Sequence, residues 1–183
     1  MVVASKIVAP SEGRTVVAKD SHTKERLIRA ESDFALLTKY VWLTVKNGDV
    51  MASAGIDESN ANGKLILLPK DSFKVARLLR KKLQQQYNLR ELGVLIADSH
   101  TLPFRGGVGG VAIGYAGFRG VRKYAGTSDI FGRKLKFSRV DVADSLAAAA
   151  VLVMGEGNEQ QPFEFRKTVR RTELHIDIED DLY

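Results

Sequence analysis

Apolar and polar positions alternate along this chain with two different periods. Val2 to Val8 reads as a short apolar strand running into a turn at Pro10–Gly13, and the polar segment SHTKERLIRAES that follows carries helix-capping signals. Leu37 to Val45 alternates as a half-buried strand does, and Asn47-Gly48 signals a hairpin returning through Val50 to Ala54. Leu65 to Leu68 is a brief apolar strand. After it, Asp71 or Ser72 caps a helix whose Phe73, Ala76, Leu79 and Leu83 recur at three- and four-residue steps and which ends near Asn88. Leu92 to Ala97 is a continuous apolar run, expected to form a strand buried on both faces and to end at Asp98. Val108 to Phe118 is a glycine-rich strand whose Gly109, Gly110, Gly114 and Gly117 favour close approach over strand stability. Lys136 to Val140 forms a further strand leading through Asp141 and Asp144 into the helix SLAAAAVLVM, which stops at Gly155 before strand-like PFEFRKT. The sequence has no repeat, low-complexity tract or long linker. The mixture predicts an α+β fold with largely antiparallel pairing in a single domain over 1–183, or in two closely packed lobes.

Composition narrows the function classes. The chain has 183 residues, 44% of them hydrophobic and 27% charged, as in an ordinary globular protein able to bury a core. It has no cysteine, which removes disulfides and thiolate metal sites and fits a reducing compartment. No apolar run approaches the roughly 20 residues that span a bilayer, and MVVASKIVAPSEG lacks a basic leader region, so a soluble cytoplasmic protein with no membrane partner is expected. The net charge of +6 suits nucleic acid or a small polyanion equally well. Basic residues gather at Arg77, Arg80, Lys81 and Lys82, at Arg119, Arg122 and Lys123, and at Arg166, Lys167, Arg170 and Arg171, while IDIEDDLY is acidic. Few aromatic residues accompany them, which disfavours nucleic acid.

Asp57 in AGIDESNANG and Asp98 in GVLIADSHTLPFRGG are the candidates for chemistry, each expected in a glycine-bracketed turn at a strand end. Hard oxygen corners of this kind suit a divalent cation and the phosphate it neutralises. An aspartate bonded to its own turn is the competing account of either loop. His100 reads as a loop histidine, because a hard cation prefers oxygen. Gly106 to Gly110 lacks the lysine of a phosphate-binding loop, and close backbone packing accounts for it. Arg105, Arg119 and Arg122 fit either an anion or surface ion pairs. Leu146 to Val153 is core, and Tyr40 and Trp42 share a strand face as packing residues.

The strings SKIVAPSEGR, AGIDESN, LIADSHTLPFRGGVGGVAIGYAGFRGVRKYAGTSDIFGRKL and VADSLAAAAVLVMGEG together resemble the coenzyme F-420-0:L-glutamate ligase (gamma-glutamyl ligase) family, in the family's order and from about Ser5 to Pro162. The resemblance implies a GTP-dependent ligase that joins L-glutamate to a deazaflavin cofactor by a gamma-linked amide, with magnesium or manganese and a potassium-like monovalent cation. Phosphoryl transfer from GTP to a cofactor carboxylate would precede attack by the glutamate amine. Such chemistry is mostly positioning and charge neutralisation. Residue by residue, the resemblance implies that Asp57, Asp98, Ser99 and Glu156 bind metal. Ser99 stands where the family usually has threonine. Asn60, Ser5 and Lys6 match nucleotide contacts, and the stretch holding Met154, Gly155, Gly157 and Asn158 resembles a second nucleotide-binding segment. No residue receives a catalytic role. An intertwined homodimer is also implied.

Two departures shape the expectation. Family members carry an N-terminal stretch with a loop touching GTP, and this chain begins almost at the SK motif. Pro10 stands where the family places a second phosphate-binding lysine, and it offers neither charge nor a backbone donor. A shortened or divergent member is therefore expected, with a non-catalytic paralogue holding an anionic cofactor or nucleotide as the alternative.

Overall fold

The computed structural model describes residues 1–164 apart from Lys19, Ser21 and Pro103. In chain order the elements are β1 (Val2–Ala4), α1 (Ser5–Ser11), β2 (Thr15–Val17), α2 (Thr23–Ala30), β3 (Phe34–Leu37), β4 (Trp42–Lys46) and β5 (Asp49–Ala52). They continue as β6 (Lys64–Ile66), α3 (Ser72–Tyr87), β7 (Val94–Thr101), β8 (Val108–Ala116), β9 (Val121–Lys123), β10 (Arg139–Asp141), α4 (Val142–Met154) and β11 (Phe163–Glu164). The fold is α+β. The β1–β11, β2–β6, β3–β4, β4–β5 and β9–β10 pairs are antiparallel. Among the described residues no helix is long and apolar enough to cross a membrane.

The chain divides into two compact units, the first comprising Met1–Val3, Ser72–Ala97 and the chain from Gly110, the second Ala4–Asp71 and Asp98–Gly109. In the first, Leu95, Ala97, Tyr115, Phe118, Val142, Ala143 and Ala147 form the core. Val94 to Ala97 are all buried, which accounts for the unbroken apolar run. Two glycines of β8 set the packing of the helices. A Cβ on Gly110 would stand 2.6 Å from the Ala147 carbonyl oxygen, and one on Gly114 would stand 2.4 Å from the Ser72 carbonyl carbon. Bare backbone at these places lets α4 and the start of α3 lie directly on the strand. Asp141 caps α4 by accepting from the Asp144 N–H at 2.9 Å, and Gly155, at φ +79°, ends it.

In the second unit β3, β4 and β5 form a meander with Leu36 opposite Leu43 and Val45 opposite Val50. Asn47 and Gly48 take φ of 53° and 80°, the left-handed pair that a two-residue turn requires. Ile28, Ile56, Leu65 and Leu67 form its core, with Trp42 packed against them and the Arg29 guanidinium 4.5 Å from the indole centroid.

Several boundaries differ from the sequence expectation. The stretch expected as one strand from Val2 breaks at Ala4, and α1 follows, because Ser5, Val8 and Ala9 recur at helical spacing and are buried together. Pro10 sits in the last turn of that helix, where its missing N–H forgoes one intrahelical bond and the helix ends one residue later. Leu37 to Val45 splits into two strands around a turn in which Thr38 Oγ1 donates to the Val41 carbonyl at 2.6 Å. Tyr40 lies in that turn and is exposed, so it shares no strand face with Trp42. The strand expected at Lys136 is confined to Arg139–Asp141. Arg80 is not simply solvated, since its Nε donates to the Leu92 carbonyl at 2.8 Å. Arg166, Lys167, Arg170 and Arg171, the acidic C-terminus and most of PFEFRKT lie outside the described residues.

Candidate functional site

Ser5 and Lys6 open α1 side by side, and each holds one of the two aspartates. Ser5, 4% exposed, donates from Oγ to Asp98 Oδ1 at 2.6 Å. Lys6 Nζ meets Asp57 Oδ2 at 2.6 Å and donates to Ser59 Oγ at 2.8 Å. Consecutive Cα atoms are about 3.8 Å apart, so carboxylates remote in sequence converge on one short piece of backbone. All these residues belong to the second unit.

Asp57 is fixed by an isolated bridge to Ile66, whose backbone N–H and C=O bond it at 2.8 and 3.0 Å. The chain between turns through Asn60, Asn62 and Gly63, all at positive φ. Ser59 bonds Asp57 twice: its N–H donates to Oδ1 at 2.7 Å and its hydroxyl to Oδ2 at 2.8 Å. Burial pushes the Asp57 carboxyl up, but Lys6 and the two Ser59 bonds overcome it and hold it below the usual carboxylate value. The Lys6 and Asp57 side chains remain 30% and 38% exposed. A pair so hydrated contributes about 1 kcal/mol or less and is easily exchanged.

Asp98 differs from expectation: β7 runs through it to Thr101, so it sits inside a strand rather than in a turn at its end. Period-two alternation turns Asp98 and His100 to one face and Ser99 to the other. His100 is therefore no loop histidine. It is 5% exposed, with Nδ1 3.4 Å from Asp49 Oδ2 and Nε2 3.2 Å from Asp98 Oδ2. The Nε2 contact lacks hydrogen-bond alignment and is an ion-pair approach. Burial alone would lower the imidazole, but the flanking Asp49 and Asp98 carboxylates raise it from 6.5 to about 9. The His100 hydrogen bond, in turn, holds Asp49 below its ordinary value against the opposing effect of burial.

The oxygen donors gathered here are carboxylates and hydroxyls, the set that suits magnesium or manganese, with the Lys6 ammonium and the His100 imidazole against two of the carboxylates. Among the described residues no three His, Cys, Asp or Glu side chains form a ready-made metal cluster. A cation at Asp57 and Asp98 would thus complete its shell with ligand oxygens or water. Asn60 lies in the exposed turn after Asp57. Glu156, Gly155, Gly157, Asn158 and Met154 belong to the first unit, at the exit of α4. Glu156, Gly157 and Asn158 are exposed, and Met154 is buried as a packing residue. In that loop the Gly157 N–H donates to Glu159 Oε2 at 2.7 Å.

Sequence reasoning passed over Ser59, Asp49 and the burial of His100. The spacing Asp57-x-Ser59 is an Asx-turn signal that would have found the first. Reading Asp98-Ser99-His100 with a period of two would have put both ionisable groups on one face.

The comparisons with known proteins identify the family. The sequence profile of the family described as F420-0:Gamma-glutamyl ligase matches residues 1–165. A Coenzyme F420:L-glutamate ligase of Methanopyrus kandleri is 42% identical over 146 residues, which are 79% of this chain and 58% of that protein. The protein of the same name from Methanothermobacter thermautotrophicus is 35% identical over 88% of this chain and 71% of its own length. That from Methanocaldococcus jannaschii is 34% identical over 85% and 64%. The chain thus spans between 58% and 71% of these three relatives. With a family profile matched over nearly all its described length, this chain belongs to the F420-0:gamma-glutamyl ligase family.

Proposed function

We propose that this chain forms the amide between a carboxylate of a deazaflavin cofactor and the amine of L-glutamate, using GTP and a divalent cation, magnesium or manganese. The observation that carries the reading is the pinning of Asp98 and Asp57 by the adjacent Ser5 and Lys6. Amide formation from a carboxylate needs a better leaving group than oxide. Transfer of the γ-phosphoryl group to the cofactor carboxylate gives an acyl phosphate and the nucleoside diphosphate. The glutamate nitrogen then attacks the acyl carbon, phosphate departs with the C–O electrons, and the nitrogen loses a proton. Asp57 and Asp98 would hold the cation, which neutralises the phosphate oxygens in flight. Lys6, an ammonium on a flexible stem beside Asp57, is placed to meet a phosphate, and Ser5 fixes the rotamer of Asp98. Asn60, Ser99 and the loop holding Gly155, Glu156, Gly157 and Asn158 belong to the same reading as nucleotide and cation contacts. A homodimer and a monovalent cation such as potassium complete it.

The test is incorporation of labelled glutamate into the deazaflavin substrate by the full chain with GTP and Mn2+, followed by mass spectrometry. Turnover that Asp98→Asn abolishes supports the reading. Pro10, in the last turn of α1 where the resemblance places a lysine, favours one second reading, a paralogue that binds the cofactor without turnover. Deazaflavin retained on the protein with no glutamate added would select it.

A further inference from the structure

Resting on the reading above, we propose that Lys6 competes with a free divalent cation for Asp57, so that the site takes its cation more tightly together with a phosphate-bearing ligand that draws the ammonium away. Three donors already engage the Asp57 carboxylate. Oδ1 accepts from the Ser59 N–H, and Oδ2 accepts from both the Ser59 hydroxyl and Lys6 Nζ. A cation approaching alone must displace an ammonium at 2.6 Å. Alone it would also rely on water for most of its shell, since no cluster of three acidic, histidine or cysteine side chains exists among the described residues. A metal-bound polyphosphate resolves both deficits at once. Its oxygens complete the shell of the cation, and its negative charge offers Lys6 a new partner.

Reaching that partner needs only the torsions of a partly exposed four-carbon side chain, with no rearrangement of α1. Lys6 thereby couples the two ligands: whatever holds the ammonium frees the carboxylate. By linkage, phosphate tightens cation binding by the same factor by which the cation tightens phosphate binding.

The experiment titrates the full chain with Mn2+ alone, following the free aquo ion by electron paramagnetic resonance, for the wild type, Lys6→Met and Lys6→Arg. Lys6→Met should bind Mn2+ up to about fivefold tighter than the wild type, at the lower end of the usual range of such couplings, and Asp57→Asn in that background should remove the gain. Lys6→Arg keeps the ion pair and should match the wild type. Calorimetry with a non-hydrolysable GTP analogue and saturating Mg2+ should show the opposite sign, a weaker affinity in Lys6→Met. An Mn2+ affinity in Lys6→Met equal to or below that of the wild type overturns the inference. Two controls separate the claims. If Asp57→Asn abolishes Mn2+ binding while Lys6→Met leaves it unchanged, the inference alone falls. If none of the proteins binds Mn2+ with or without the nucleotide, the cation part of the proposed function falls with it.

Discussion

Glu31, just after α2, holds two cations of the second unit at once. Its Oε2 accepts from Arg14 Nη2 and from Lys46 Nζ, each at 2.7 Å, and the Lys46 and Glu31 side chains are only 11% and 20% exposed. Glu31→Gln keeps the shape and removes the charge, leaving a guanidinium and a nearly buried ammonium facing one another. Breaking a fully buried pair costs about 3–5 kcal/mol, and the residual exposure here reduces the expected loss to about 2 kcal/mol. For a chain of this size that loss lowers the melting temperature by about 4–8 °C. Trp42, the one tryptophan of the sequence, packs against the core of the same unit, so its fluorescence in urea reports this unit's transition. Burial pushes the Glu31 carboxyl up, yet Arg14 and Lys46 prevail and hold it below 4.5. A carboxylate depressed in this way contributes stability that is present above pH 4.5 and lost as the pH falls through the folded value. The gap between wild type and Glu31→Gln should therefore close in acid. Lys46→Met should cost less than Glu31→Gln, because Arg14 still pairs the carboxylate. Equal stability of wild type and Glu31→Gln at neutral pH, or a gap undiminished in acid, would refute the reasoning.

Gly114→Ala drives a Cβ to within 2.4–2.7 Å of the Ser72 and Phe73 backbone, which has no side chain to move aside, and should cost about 1–3 kcal/mol by calorimetry. Gly48→Val, at φ +80° with open space around it, tests conformation without contact; a loss of about 1–2 kcal/mol in the urea midpoint is expected. Arg29→Ala removes the guanidinium over Trp42 and should lower stability by about 0.5–1 kcal/mol while shifting the indole emission. Ser5→Ala leaves Asp98 Oδ1 without its donor, and the nucleotide-induced rise in melting temperature with Mg2+ present should shrink, whereas Ser5→Thr should retain it.

What the sequence disclosed depended on whether a residue's role was local. The Asn47-Gly48 hairpin and the α3 stripe are fixed by neighbours in the chain or by period, and both were legible, whereas the partners of the β8 glycines, Ala147 and Ser72, lie far off in sequence and were not. The grouping of Asp57 and Asp98 in one site was an expectation of the family resemblance rather than of either loop. The holding of each aspartate by one of two consecutive residues spans 93 positions for Ser5 and Asp98 and leaves no local trace. The α1 helix was hidden because seven residues with a proline near the end carry too short a pattern to outweigh the apolar start of β1. His100 was misplaced because a glycine-rich loop follows it closely, and strand alternation past Asp98 gave way to that punctuation.

The seat of Asp98 within β7 has a consequence for how this chain can vary. Deleting a single residue between Val94 and Ala97 would present Ser99 and Thr101 where Asp98 and His100 now stand, exchanging both ionisable groups for hydroxyls in one step, and inserting one would present Ala97 and Ser99 there. Replacing the same apolar residues by one another leaves that parity untouched. The residue count upstream of the aspartate, more than the identity of what fills it, is the quantity that inheritance must guard.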